Sequence, residues 1–247
     1  MTLDGRFELE KAIAENQLVL HYQPIVAVAG RALVAVEALV RWRHPARGVL
    51  PPSQFVPAIE RAGLARELTL WVVREAILQA AVWKNDEEPL SVGVNLSPEN
   101  LRDAQFRRFL DITLRAVGAP ELLIAELPAV ALTSPEQIES LSQMRKKGIR
   151  VAIDDVTAPV DLAGIPADAI KLGRALVSRI SADERAHAEA GEIVRAAKLL
   201  GRTVTAVGIE DEQTWRRVTA LGCDTAQGYA VAEPLSTADL DIWRRRR

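Results

Sequence analysis

Arg150-Val151-Ala152-Ile153-Asp154-Asp155 is the stretch on which the fold turns. A short apolar, β-branched run ends on two adjacent carboxylates. Such a run reads as a buried strand of a parallel sheet. Two acids at its C-terminal end are costly to bury unless a cation stands beside them. In α/β sheets and barrels that end of a strand is where sites are built. A plainer reading lets Asp154 end the strand and Asp155 face water, so the neighbouring segments have to decide.

Outward from this run, strand and helix alternate. Ser134-Pro135-Glu136-Gln137 combines an N-cap, proline at the first helical position and glutamine at the third, which starts a helix ending at Gly148. Strands are predicted at 90–96, 121–127, 169–172, 203–207 and 225–228. Helices are predicted at 67–83, 104–117, 184–200 and 211–221, the last three closed by Gly118, Gly201 and Gly222. Ser53 caps a short helix that Gly63 ends, Ser97-Pro98 opens a helical turn, and Ser236 caps a final helix. At the start, Phe7, Leu9, Ala12 and Ile13 share one face of a first helix. A strand at 18–23 is stopped by Pro24, and strands at 25–28 and 32–40 flank a turn at Ala29-Gly30-Arg31. No Pro/Gly/Ser-rich linker divides residues 1–247, so the expectation is one domain. The fold expected is α/β, a TIM-like (β/α)8 barrel in preference to an open doubly wound sheet. One antiparallel strand is expected before the barrel proper.

Composition narrows the function classes. The 247 residues are 49% hydrophobic with net charge -2, enough for a sizeable core and no electrostatic footprint for duplex nucleic acid. The arginines at 244–247 read as a solvated tail. No run of about 18 apolar residues is present to span a membrane. Met1-Thr2-Leu3-Asp4 is unlike a signal peptide, and the single cysteine, Cys223, excludes a disulfide framework or thiolate zinc site. A cytoplasmic location is the expectation.

The strand ends carry the chemistry. Glu37 lies amid apolar residues with Arg41 following; then come Asn95, Glu126, Asp154 with Asp155, Lys171, and Gln227. Singly, Asn95 is a strand cap, Glu126 a rim charge and Lys171 a surface lysine with a buried stem. Together, in a barrel, they meet at one mouth. Carboxylate and amide oxygens suit Mg2+ or Mn2+ rather than zinc. A lysine among them balances charge or orients a metal-bound water, which fits metal-assisted attack on a phosphodiester. His21, His44 and His187 lack HExxH-type spacing, and no G-x-S-x-G elbow, Walker A loop or G-x-G-x-x-G is present.

With these residues placed, the chain resembles the EAL-domain family over residues 20–235. The resemblance rests on Tyr22-Gln23-Pro24-Ile25, Glu37-Ala38-Leu39-Val40-Arg41-Trp42 with His44-Pro45, Asn95-Leu96-Ser97, Ile153-Asp154-Asp155, and Gly222-Cys223-Asp224 with Gln227-Gly228-Tyr229. It implies a TIM-like barrel with one antiparallel strand and, in active members, hydrolysis of cyclic di-GMP to a linear dinucleotide. It implies metal ligands at Glu37, Asn95, Glu126 and Asp154, Asp155 at a second ion, and Lys171 orienting the attacking water, so that Glu37 and Lys171 are the catalytic candidates. It implies nucleotide contacts from Gln23, Arg41 and Glu210, with Gln227 added as a ligand-binding candidate.

The departures are as informative. The family's Glu-x-Thr-Glu is Glu126-Leu127-Pro128-Ala129 here. The Gly-rich, aromatic loop after Asp-Asp, which supports family dimers, is replaced by Val156-Thr157-Ala158-Pro159-Val160-Asp161 on a connection about four residues shorter. Lys-Ile-Asp is Lys171-Leu172-Gly173, and Ala-Glu-Gly-Val-Glu is Ala206-Val207-Gly208-Ile209-Glu210, so a proposed general base is valine. A basic residue before proline is Glu233. The leading expectation is a degenerate domain with a weakened Mg2+ or Mn2+ site and little or no phosphodiesterase activity, acting as a cyclic di-GMP receptor or partner-binding regulator. An active phosphodiesterase and a protein-interaction domain without nucleotide are the alternatives. Protein partner and homodimer stay open.

Overall fold

In the computed structural model, which describes residues 6–86, 88–129, 132 and 134–246, the alternation of strand and helix closes on itself. The strands are β1 (Leu18–Ala27), β2 (Leu33–His44), β3 (Gly48–Leu50), β4 (Ser91–Asn95), β5 (Leu123–Pro128), β6 (Arg150–Val156), β7 (Ala169–Leu172), β8 (Thr203–Val207) and β9 (Thr225–Gln227). From β2 through β4 and on to β9, each pairs parallel to the next. β1 closes the ring, antiparallel to both β2 and β9, and β3 is a hairpin extension of β2. The antiparallel strand is thus a stave of the barrel, not an element placed before it.

Helices α1 (Arg6–Ala14), α2 (Val56–Arg61), α3 (Ala65–Trp83), α4 (Pro98–Arg102), α5 (Ala104–Val117), α6 (Pro135–Lys146), α7 (Arg174–Val177), α8 (Glu184–Leu199), α9 (Glu212–Leu221) and α10 (Thr237–Arg245) accompany the strands. The α6 start is the capping box read from the sequence: the Ser134 amide donates to Gln137 Oε1, and the Gln137 amide to Ser134 Oγ. Among the described residues no helix is long and apolar enough to cross a membrane.

Several expectations are corrected. Pro24 does not stop the first strand. It pairs with Val36 inside a continuous β1. Tyr22 turns its N–H to the Leu235 carbonyl, away from β2, and the ladder's alternation turns Pro24 the same way. The missing donor therefore costs the β1–β2 ladder nothing. Phe7 is 79% exposed and takes no part in the buried face of α1. Arg244 belongs to α10, ion-paired to Asp86 at 2.7 Å and donating to the Glu88 carbonyl, so it is no free tail. Residues 1–5, which hold the Met1–Asp4 stretch, and Arg247 lie outside the described residues. The short β3 and α7 went unpredicted. The connection between β6 and β7 contains no helix.

Alternation along each stave sets what points where. Val92, Val94, Ala125, Leu127, Val151, Ile153, Ile170, Leu172, Val204 and Ala206 are fully buried between staves and helices. The alternate set (Gly93 and Asn95, Glu126, Asp154, Lys171, Thr205 and Val207, Gln227) therefore faces the barrel axis. The Thr205 and Thr225 hydroxyls, 2.7 Å apart, are part of that interior.

Candidate functional site at the barrel mouth

Register decides which strand ends meet. Gln23 lies opposite Glu37, Glu37 beside Gly93, Asn95 beside Glu126, and Val207 beside Gln227. At the centre stands Lys171, 2% exposed, so it is not a surface lysine. Its Nζ lies 2.9 Å from Glu37 Oε2, 2.5 Å from Glu126 Oε2 and 3.7 Å from Asp154 Oδ1. Glu37 also accepts from Asn95 Nδ2 and from Gln227 Nε2, both at 2.8 Å. Gln227 reaches Gln23 Oε1 at 3.0 Å, and Gln23 donates to the Ala232 carbonyl at 3.2 Å.

The electrostatics follow from that geometry. Burial opposes charge on Glu37, yet Lys171 and the hydrogen bonds from Gln227 and Asn95 hold its carboxyl below the usual range. Glu126 lacks those amide donors; burial, with Glu37 and Asp154 nearby, pushes it up to about 8 against the pull of Lys171. Burial also raises Asp154, despite Lys171. For Lys171 burial opposes charge, but three carboxylates overcome it and keep the ammonium protonated.

The remaining candidates lie outside this cluster. Asp155 is exposed, at φ 51°, in the left-handed region, and its carboxylate lies against Gly173. A Cβ at position 173 would come within 2.1 Å of Asp155 Oδ1, so glycine there makes room for the second acid. Arg41, half-buried and four residues beyond Glu37 on the same face of β2, donates to the Val40 carbonyl at 2.9 Å. Glu210 is exposed and paired with Arg174 Nη2. Val207 takes the inward position at the end of β8, where the resemblance implied an acid. Asn95 and Asp154 border a cleft of about 920 Å3 whose other wall includes Leu39, Val56, Leu68 and Pro98.

Among the described residues no three His, Cys, Asp or Glu side chains already stand as a metal cage; the acids are drawn to Lys171 instead. The donor set nevertheless fits a hard divalent cation. It is all oxygen, and three carboxylates against one ammonium leave two negative charges in excess when all are ionised. Sequence reasoning missed Gly93 and Arg174. A glycine inside the run Ser91-Val92-Gly93-Val94 was the available signal, because a strand glycine marks a close approach.

Comparison with known proteins agrees with this geometry. Residues 6–234 match the EAL domain family. The chain is 36% identical, over 96% of its length, to an uncharacterized signaling protein of Caulobacter vibrioides, of which it covers 30%. It is 33% identical, again over 96% of its length, to a cyclic di-GMP phosphodiesterase of Pseudomonas aeruginosa, of which it covers 42%. The chain thus spans less than half the length of these relatives. Among solved structures, PaMucR phosphodiesterase in complex with c-di-GMP superposes with a TM-score of 0.89 at 30% identity, covering 95% of this chain and 98% of that one.

Proposed function

We propose, for a chain that belongs to the EAL domain family, a role as a cyclic di-GMP receptor whose phosphodiesterase activity is weak or absent. The observation that carries this is Val207. It stands inward at the end of β8, beside Gln227, and can neither accept a proton nor bind a cation. Lys171 does not substitute as a base. Three carboxylates hold its proton, so it can donate to a water or a phosphate oxygen but cannot abstract a proton.

Binding groups are retained. The planar fork of Arg41 suits a phosphate, and Gln23, Gln227 and Glu210 supply polar contacts about the same mouth. Glu37, Asn95, Glu126 and Asp154 would hold Mg2+ or Mn2+, with Asp155 able to touch a second ion. A cation bound there would polarise a phosphate oxygen and lower the pKa of a coordinated water. The chain's own residues then orient the nucleotide, while the β8 side offers no acceptor for the proton of an attacking water.

A still-active, slow phosphodiesterase is the second reading, favoured by Lys171 meeting Glu37, Glu126 and Asp154 in one cluster. Incubation with cyclic di-GMP and Mg2+ or Mn2+, followed by ion-exchange chromatography, separates the two. The receptor reading expects intact nucleotide, together with calorimetric binding that Arg41→Ala weakens by about tenfold or more. Linear product that disappears in Glu37→Ala would make the domain an enzyme. No binding at high protein concentration would leave an interaction domain.

A further inference from the structure

We infer that Gly93 is a positioning residue for Glu126: the space its missing side chain leaves is where the Glu126 carboxyl sits. A Cβ built on Gly93 would lie 2.3 Å from Glu126 Oε1 and 2.9 Å from Glu126 Cδ. Nothing else demands glycine there. Gly93 is not among the residues with positive φ, so its backbone suits any L residue. It is buried mid-strand in β4, between paired neighbours on β2 and β5, where glycine is less stable than alanine.

The consequence is a matter of level within the barrel. Glu126 is in register with Asn95, one inward position nearer the mouth than Gly93, while Glu37 is in register with Gly93 itself. By leaning over Gly93, Glu126 brings its carboxyl to the level of Glu37. There both acids reach the same ammonium, at 2.5 and 2.9 Å. A side chain at position 93 would push the Glu126 carboxyl off Lys171. Gly93 thereby sets where the second acid of the cluster stands without touching ligand or cation.

The test is a mutant cycle on thermal unfolding, with Mn2+ calorimetry as a second readout. Gly93→Ala lowers the melting temperature by about 3–10 °C while Glu126 is present. In a Glu126→Ala background the same change is neutral or stabilising, because the space is then open. Glu126→Asp, one methylene shorter, rescues part of the Gly93→Ala loss. Equal losses in both backgrounds would overturn the inference. So would failure of the double variant to fold. Folding of the double variant but not of Gly93→Ala alone would support it. The calorimetry rests on the cation site proposed above. There Gly93→Ala and Glu126→Ala each weaken Mn2+ by about tenfold, and together no more than Glu126→Ala alone; additive losses count against the inference. If the unaltered protein takes no Mn2+, the cation site fails and the melting cycle still decides the role of Gly93.

Discussion

The interior of the barrel mouth and its rim are built differently. Around Lys171, the inward residues of β2, β4, β5 and β7 carry an acid, an amide or an ammonium, and each is bonded to another. Glu37 alone accepts from Asn95, Lys171 and Gln227. At the rim, where the chain leaves β6 and β8, Asp155 leans out over Gly173, the connection to β7 has no helix, and the inward residue ending β8 is Val207. The interior is a buried charge cluster, in which removing one member strands the others. The rim is solvated or apolar, so a substitution there leaves no buried group without a partner.

The widest break in this contrast comes from Lys171→Met. It leaves Glu37, Glu126 and Asp154 without their cation and should cost about 3–5 kcal/mol near neutral pH in chemical denaturation, with part of the loss regained in acid. A loss under about 1 kcal/mol would show that the cluster does not depend on its ammonium. Next, Val207→Glu with Ala129→Glu places acids at the rim, where the family resemblance implied them. One catalytic base contributes on the order of 10²–10⁴ in rate, so cyclic di-GMP turnover should rise by at least tenfold. Unchanged turnover would move the cause to the helix-free β6–β7 connection.

Smaller effects sharpen the same contrast. Glu126 titrates near 8 in the folded protein, above its ordinary value. Stability from this group is full below the unfolded pKa and is lost as pH rises toward 8. The metal-free protein should therefore melt lower at pH 8 than at pH 5, and Glu126→Gln should flatten that slope; an unchanged slope would mean another group causes it. The smallest effect belongs to the solvated rim. Arg174 and Glu210 have side chains 63% and 53% exposed, so Arg174→Ala should change stability by at most about 1 kcal/mol. A larger loss would mean that the rim, too, is structurally coupled.

The sequence by itself determined the alternation of strands and helices, the barrel, and which residues sit at the strand ends. It could do so because a two-residue period and helix caps are local signals. That Glu37, Asn95, Glu126, Asp154 and Lys171 gather at one mouth was legible once a barrel was expected. Only the tertiary structure decided that Lys171 is their shared counter-ion, 134 residues from Glu37 along the chain. The same holds for Glu126 filling the space at Gly93, for Glu210 pairing with Arg174, and for β1 passing through Pro24 to close the ring. Each depends on the register between strands far apart in sequence. That register is fixed by closure of the whole barrel and by no local pattern of residues.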